Sequence, residues 1–178
     1  MRRIVIVGQS GAGKTRLSLL LAQRLHFPVL HADKLFWRPG WVDPEDEDYR
    51  SRIHALTEQD SWIFDGIPGR VFDIILPRAD TVIWLQQPPF KSMVRGYWRM
   101  LRYWGRTRPG MADGCPERLN LQLWRYAARF ESIQRPRIEE WIKTYAPSAT
   151  VLTLQGDEGV VRFLDRDFTQ PTASLSSE

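Results

Sequence analysis

The chain predicts an α/β fold of three layers: a five-stranded parallel sheet with helices on both faces and a helical lid insertion. Three observations carry this. Short apolar runs alternate with segments of helical periodicity along the 178 residues, the pattern of a parallel sheet covered on both sides. The first run leads directly into Gly8-Gln-Ser-Gly-Ala-Gly-Lys-Thr15, a complete G-x-x-x-x-G-K-[ST] loop. The fourth and fifth runs are separated by about sixty residues, far more than one crossover helix needs.

Residues 3–7, Arg-Ile-Val-Ile-Val, read as a buried strand, and Leu17, Leu20, Leu21 and Leu25 recur at helical spacing after the loop. Residues 29–32 form a second strand that ends at Asp33. Asp43, as N-cap with Pro44 at the first helical position and acids behind it, starts a helix carrying Tyr49, Ile53 and Leu56. Residues 62–65 form a third strand, cut by Gly66 and Pro68. Residues 80–85 form a fourth, cut by Pro88 and Pro89. Residues 150–154 form a fifth, followed by Gly156 and a short helix to Leu164.

The insertion opens with Lys91, Arg95, Arg99, Arg102 and Arg106, spaced so that all five fall on one helical face; Arg108 follows. No acid interrupts residues 86–112. Pro116 then opens a second helix with Leu119, Leu123, Tyr126, Ala127 and Phe130, and a third segment after Pro136 carries Ile138, Trp141, Ile142 and Tyr145. The expected organisation is one domain over residues 1–168, a lid at about 91–115, and a polar, disordered tail at 169–178.

Composition excludes several classes. Cys115 is the single cysteine, so neither an internal disulfide nor a cysteine zinc cluster can form. No apolar stretch is long enough to span a bilayer, and the first run is too short for a signal peptide. The expected compartment is the cytoplasm, with no membrane partner. A net charge of +4 suits anionic partners.

The chemistry of the loop is specific. Gly8, Gly11 and Gly13 let the backbone of Gly8, Ser10, Gly11, Ala12, Gly13, Lys14 and Thr15 turn its N–H groups toward phosphate oxygens, and the following helix adds its positive end. Lys14 would reach the β- and γ-phosphates of ATP and Thr15 would ligate Mg²⁺. A strand-end acid, Asp65 or Asp33, would hold metal-bound water, Asp65 being the better placed. Asp33 would orient an acceptor hydroxyl or act as its base; as an alternative it only caps a loop. Arg70 would hold an acceptor phosphate or stand on the surface. The arginines, Arg106 and Arg108 above all, would close over the triphosphate. Trp98, Tyr103 and Trp104 stack on a base or pack the lid. The three histidines, His26, His31 and His54, show no metal-ligand spacing and read as structural; Cys115 reads as inert.

Together these residues resemble the adenylate-kinase-like branch of the P-loop kinases, whose fold is the three-layer P-loop NTPase fold. Asp65-Gly-Ile-Pro-Gly-Arg70 is similar to the Asp-Gly-Phe-Pro-Arg turn of adenylate kinases, with one glycine more. More closely, the chain looks like the small bacterial DNA topology modulation proteins, a resemblance over nearly the whole chain to about residue 165, carried by His31-Ala-Asp-Lys-Leu-Phe-Trp-Arg-Pro-Gly-Trp41, by Asp65-Gly66 after the third strand, and by Gly105-Arg-Thr-Arg-Pro-Gly-Met-Ala-Asp-Gly-Cys-Pro-Glu-Arg118. The resemblance implies ATP on the loop, Mg²⁺ near Thr15 and Asp65, lid contacts from Arg106 or Arg108, and an acceptor site lined by Asp33, Trp37 and Arg70. Residues 44–60 carry only Arg50 and Arg52 amid acids, unlike the arginine-rich acceptor site of adenylate kinases.

Three functions compete. The first is an ATP- and Mg²⁺-dependent phosphotransferase acting on a small-molecule acceptor. The second is a nucleotide-dependent DNA-binding protein whose arginines grip phosphates. The third is an NTPase switch. A lid turns its arginines inward; a DNA site presents them as an outward stripe.

Overall fold

The strand Arg3–Gly8 (β1) is apolar on both faces, as a strand covered by helices on both sides must be. In the computed structural model, which describes residues 1–66, 69–119, 125, 127 and 129–165, β1 lies at the centre of a five-stranded sheet. The other strands are Val29–His31 (β2), Trp62–Asp65 (β3), Thr81–Gln86 (β4) and Thr150–Gln155 (β5). The order is β2-β3-β1-β4-β5 and every pair is parallel. Among the described residues the helices are Lys14–Leu25 (α1), Ala32–Phe36 (α2), Asp46–Thr57 (α3), Phe72–Ile75 (α4), Pro89–Arg102 (α5), Arg135–Tyr145 (α6) and Gly156–Leu164 (α7).

Alternation along β1 divides the core. Ile4 and Ile6 point to the face covered by α1 and α7, where they meet Leu17, Leu21, Ile83 and Phe163. Val5 and Val7 point to the opposite face, where α3, α4 and α6 supply Tyr49, Ile53, Phe72, Ile75, Ile138 and Ile142 around Trp62 and Phe64. Asp80 precedes β4 rather than opening it: its carboxylate accepts the backbone N–H groups of Arg2 and Arg3 at 2.8 and 2.9 Å.

Four boundaries differ from the sequence reading. β2 stops at His31, and Asp33 sits in the first turn of α2 rather than at a strand end. The third helix begins at Asp46, with Glu45 in the cap position, three residues after Asp43. α5 ends at Arg102, so Arg106 lies in the following turn and not on the face of Lys91, Arg95 and Arg99. Pro116 opens no helix at the residues after it. Glu117 bridges Trp104 as a short strand pair, its N–H donating to Arg106 O and its carbonyl accepting from Gly105 N. Leu123 and Tyr126 of the expected second helix, and the tail 169–178, lie outside the described residues. Trp98 and Trp104 are 65% and 57% exposed.

The loop is wedged against α5. Gly11, at φ +82°, leaves a Cβ position only 2.1 Å from Ser92 O, whereas a Cβ on Gly13, at φ +99°, would meet nothing within 4 Å. Both substitutions by alanine impose backbone strain of about 1–2 kcal/mol. Gly11→Ala must also push the loop off α5. Thermal unfolding should therefore show Gly11→Ala melting several degrees below Gly13→Ala, on a scale of about 2–4 °C per kcal/mol for a chain this size. Equal melting temperatures would contradict the close packing of loop and helix.

Candidate active site

The carboxyl ends of β1, β2 and β3 open into one cleft of about 310 Å³, lined by Gly8, Ser10, Lys14, Thr15, His31, Asp33, Asp65, Gly66, Arg99, Arg108 and Gly110. This is the edge where open α/β sheets hold ligands. Sheet register assembles its floor: His31 pairs with Asp65, and Asp65 with Ile6. In-register parallel neighbours share a face, which brings His31 Nδ1 to 2.9 Å from Asp65 Oδ2. Asp65 is 6% exposed and stands over the start of α1.

Lys14 begins α1 and folds back over the loop, donating from Nζ to the carbonyls of Gly8 and Gln9 at 2.9 and 3.0 Å. Burial of its ammonium holds Lys14 below the usual lysine range, against the pull of Asp65 and Asp33. Gly13 gives α1 no side-chain cap, so the first N–H groups of the helix have no partner within it and surround the cleft floor. Gln9, itself buried, donates to Gln87 O and Ser92 Oγ, both at 2.8 Å, and locks the loop to the end of β4 and the start of α5.

The basic face of α5 is divided between two tasks. Lys91 and Arg95 bind the Asp157 carboxylate at 2.6 and 2.7 Å, and these two hydrogen bonds, Arg95 first, hold Asp157 well below the usual carboxylate range. The pair joins α5 to the first turn of α7. Arg99 turns inward to the cleft. Burial, with Arg108 beside it, lowers the Arg99 guanidinium below its ordinary range. Arg108 reaches the cleft from the next turn, donating from Nη2 to Asp33 Oδ2 at 2.6 Å while its Nε stands 2.6 Å from Glu117 Oε1.

The structure thus brings together Gly8, Ser10, Lys14, Thr15, Asp33, Asp65 and Arg108, and it leaves Arg106, Arg70 and Trp37, with Gly11, Ala12 and Gly13 of the loop, outside the cleft lining. Arg106 is exposed in its turn. Arg70 pairs with Asp43 and Asp46 at 3.0 and 3.5 Å, its guanidinium over the ring of Phe36. Trp37 packs edge-on against Phe36 and Trp41. His31, read as structural, lines the cleft, and Arg99, Glu117 and Asp157 complete the charge pairing. The order of residues along the chain carries no signal for Glu117 or Asp157, which meet their arginines only through the fold. The strand-end position of His31 beside an expected site acid was the one available sign.

The insertion lies closed on this cleft. Met111, Ala112 and Cys115 pack on Trp37 and Trp41. Gly40 N donates to Gly114 O at 2.9 Å, Trp41 Nε1 to Pro116 O at 3.1 Å, and Cys115 Sγ to Arg38 O at 3.2 Å. Gly110, at φ +80°, comes so near that a Cβ there would stand 3.3 Å from His31 Nδ1 and 3.4 Å from Thr15 Cγ2.

No family model matches the chain, and no curated protein matches it. Solved structures match over nearly its full length. A shikimate kinase from Bacteroides thetaiotaomicron is 18% identical, covering 91% of this chain and 95% of that one, with a TM-score of 0.53. A shikimate kinase from Acinetobacter baumannii in complex with shikimate is 19% identical, covering 92% and 88%, with a TM-score of 0.51. A deoxyadenosine kinase from M. mycoides, with dCMP and dCDP as products, is 13% identical, covering 91% and 96%, with a TM-score of 0.51. At these identities the likeness shows the fold, that of the P-loop kinases.

Gly110→Ala should loosen the closed insertion, because both strain and contact oppose the new methyl. Amide exchange should rise over residues 105–115 while β1 and β4 stay protected. Unchanged exchange over 105–115 would mean that the insertion does not depend on this close approach.

Proposed function

We propose that the protein is an ATP- and Mg²⁺-dependent phosphotransferase acting on a small-molecule acceptor. The observation that carries the reading is the convergence of the phosphate loop, Asp33 and Asp65 with Arg99 and Arg108 in one closed cleft. The donor set suits the ligands. The loop and Lys14 offer N–H groups and an ammonium to a triphosphate, and Lys14 now spends its hydrogen bonds on two loop carbonyls. Thr15 and Asp65 offer the hard oxygens that Mg²⁺ prefers, and His31 orients Asp65. Bound there, Mg²⁺ would neutralise charge on the β- and γ-phosphates.

The chain's own residues supply the rest. Asp33 accepts the proton of the acceptor hydroxyl as its oxygen bonds to the γ-phosphorus and the bridging oxygen leaves with ADP. Arg99 and Arg108 stabilise the charge that spreads over the phosphoryl oxygens. A grip on DNA would need an outward basic stripe. Here Lys91 and Arg95 share the carboxylate of Asp157 and Arg99 lines the cleft, which favours the lid. The proposed kinship with DNA topology modulation proteins rests on residues 31–41, 65–66 and 105–118, the first and last of which dock on each other.

Calorimetry of Mg-ATP binding tests the central claim. Lys14→Ala removes the cation from the β/γ-phosphates and should weaken binding or turnover about a hundredfold or more; equal binding by wild type and variant would refute it. The acids separate next. Asp65→Asn should raise the Mg²⁺ concentration needed for nucleotide binding. Asp33→Asn should leave ATP affinity nearly unchanged and abolish transfer to an acceptor found by thermal-shift screening of nucleosides, sugars and hydroxy acids. The reverse pattern in the two variants would exchange their roles.

A further inference from the structure

Glu117 belongs to no nucleotide-binding motif, yet it is 7% exposed on its side chain and sits behind two of the cleft's cations. Its backbone is fixed on both sides by the bridge to residues 104–106. Its Oε1 stands 2.6 Å from Arg108 Nε and 3.6 Å from Arg99 Nε. The outer nitrogen of Arg108, Nη2, meanwhile donates to Asp33. One guanidinium is therefore shared between two unlike carboxylates. Glu117 is buried and faces the inner nitrogen as a charge: the contact is an ion pair, and Arg108 Nε has no hydrogen-bond partner among the described residues. Asp33 is 52% exposed on its side chain and grips an outer nitrogen.

The two grips differ in how readily they exchange. A buried pair is costly to break, because it strands a charge away from water. An exposed pair gains little over hydration and gives way to a competing ligand. The competing ligand for Asp33 is the acceptor hydroxyl, and the competing ligand for Arg108 is the phosphoryl group. Both lie in the same cleft.

We propose that Glu117 is the positioning residue of this site: its buried charge keeps the Nε side of Arg108 in place, so that the outer nitrogens turn from Asp33 to the transferring phosphoryl group when an acceptor takes Asp33. The proposal rests on the phosphotransferase reading above. While Asp33 holds Arg108, the phosphoryl oxygens lack one of their cations, and attack by water on the γ-phosphorus is slow. Acceptor binding occupies Asp33 and releases Arg108 in one event. The acceptor oxygen then bonds to the γ-phosphorus, its proton passes to the Asp33 carboxylate, and the bridging bond breaks with its electron pair going to ADP. In the wasteful reaction water takes the acceptor's place, its proton goes to solvent, and the same bridging bond breaks to give ADP and phosphate.

The test needs ATP and no acceptor. Phosphate release from saturating Mg-ATP is compared for wild type, Asp33→Asn, Glu117→Gln and the double variant. The affinity of a non-hydrolysable ATP analogue and the melting temperature are measured for each. Asp33→Asn removes the ion pair that parks Arg108, so acceptor-free hydrolysis should rise about tenfold. Adding Glu117→Gln to it should bring the rate back to the wild-type level or below, with analogue affinity unchanged within about twofold. A merely structural Glu117 would instead lower analogue affinity and melting temperature together with the rate. Hydrolysis by Asp33→Asn at or below the wild-type rate, with analogue binding intact, overturns the turn of Arg108 and leaves the phosphotransferase reading standing. Hydrolysis in the double variant equal to that of Asp33→Asn overturns the role of Glu117. Wild type that fails to bind the analogue through Lys14 overturns both readings together.

Discussion

A buried cation needs a partner, and this requirement organises the molecule from β4 to α7. The segment 86–112 carries six basic side chains and no acid. A helix face of like charges is unfavourable by itself. Asp157 meets Lys91 and Arg95 from α7, Glu117 meets Arg99 and Arg108 from beyond the turn, and Asp33 meets Arg108 from α2. Each pair fixes one edge of the insertion. Asp157 sets the base of α5 against the sheet, Glu117 sets the turn after it, and Asp33 ties that turn across the cleft. Between them the small apolar cluster of Met111, Ala112 and Cys115 packs the insertion on Trp37 and Trp41, a burial that the half-exposed pairs of Asp33 and Asp157 do not match in strength.

The parts of the fold that could be read from the chain are those with a local cause. The strand–loop–helix unit announced itself, because a buried strand, three glycines and a leucine stripe each have a local meaning. The five strands appear where the apolar runs place them. Boundaries failed where two local preferences competed. Asp43 and Pro44 make a good helix start, yet Asp43 pairs with Arg70 and the helix begins at Asp46. Residues 91–106 keep helical spacing, yet the chain turns after Arg102, with Arg106 N donating to Tyr103 O. Pro116 is a plausible first helical residue, but Glu117 is drawn into a bridge with Trp104.

At the site the same division holds. Lys14, Thr15 and Asp65 fall where the loop motif and a strand end fix them; Asp33 lines the cleft from the first turn of α2 and Arg108 from the turn after α5. Glu117, Asp157 and Arg99's inward turn were not legible in the chain, since their partners lie from 9 to 66 residues away in it and only the closed fold supplies them. Arg106, Arg70 and Trp37 show the converse error. Each lies next to a motif and each is satisfied elsewhere: by exposure, by Asp43 and Asp46, and by neighbouring rings.

The cleft is also electrostatically unfinished. Burial pulls both Lys14 and Arg99 below their ordinary ranges, which means that their charged forms are less well served in the fold than in water. Three cations face three carboxylates there, but Asp65 is engaged with His31, and the other two carboxylates, Glu117 and Asp33, are both turned to Arg108. A polyanion entering at the loop would reverse the penalty on Lys14 and Arg99 at once. An anion bound at the loop would therefore return as affinity the free energy that burial withholds from these two cations.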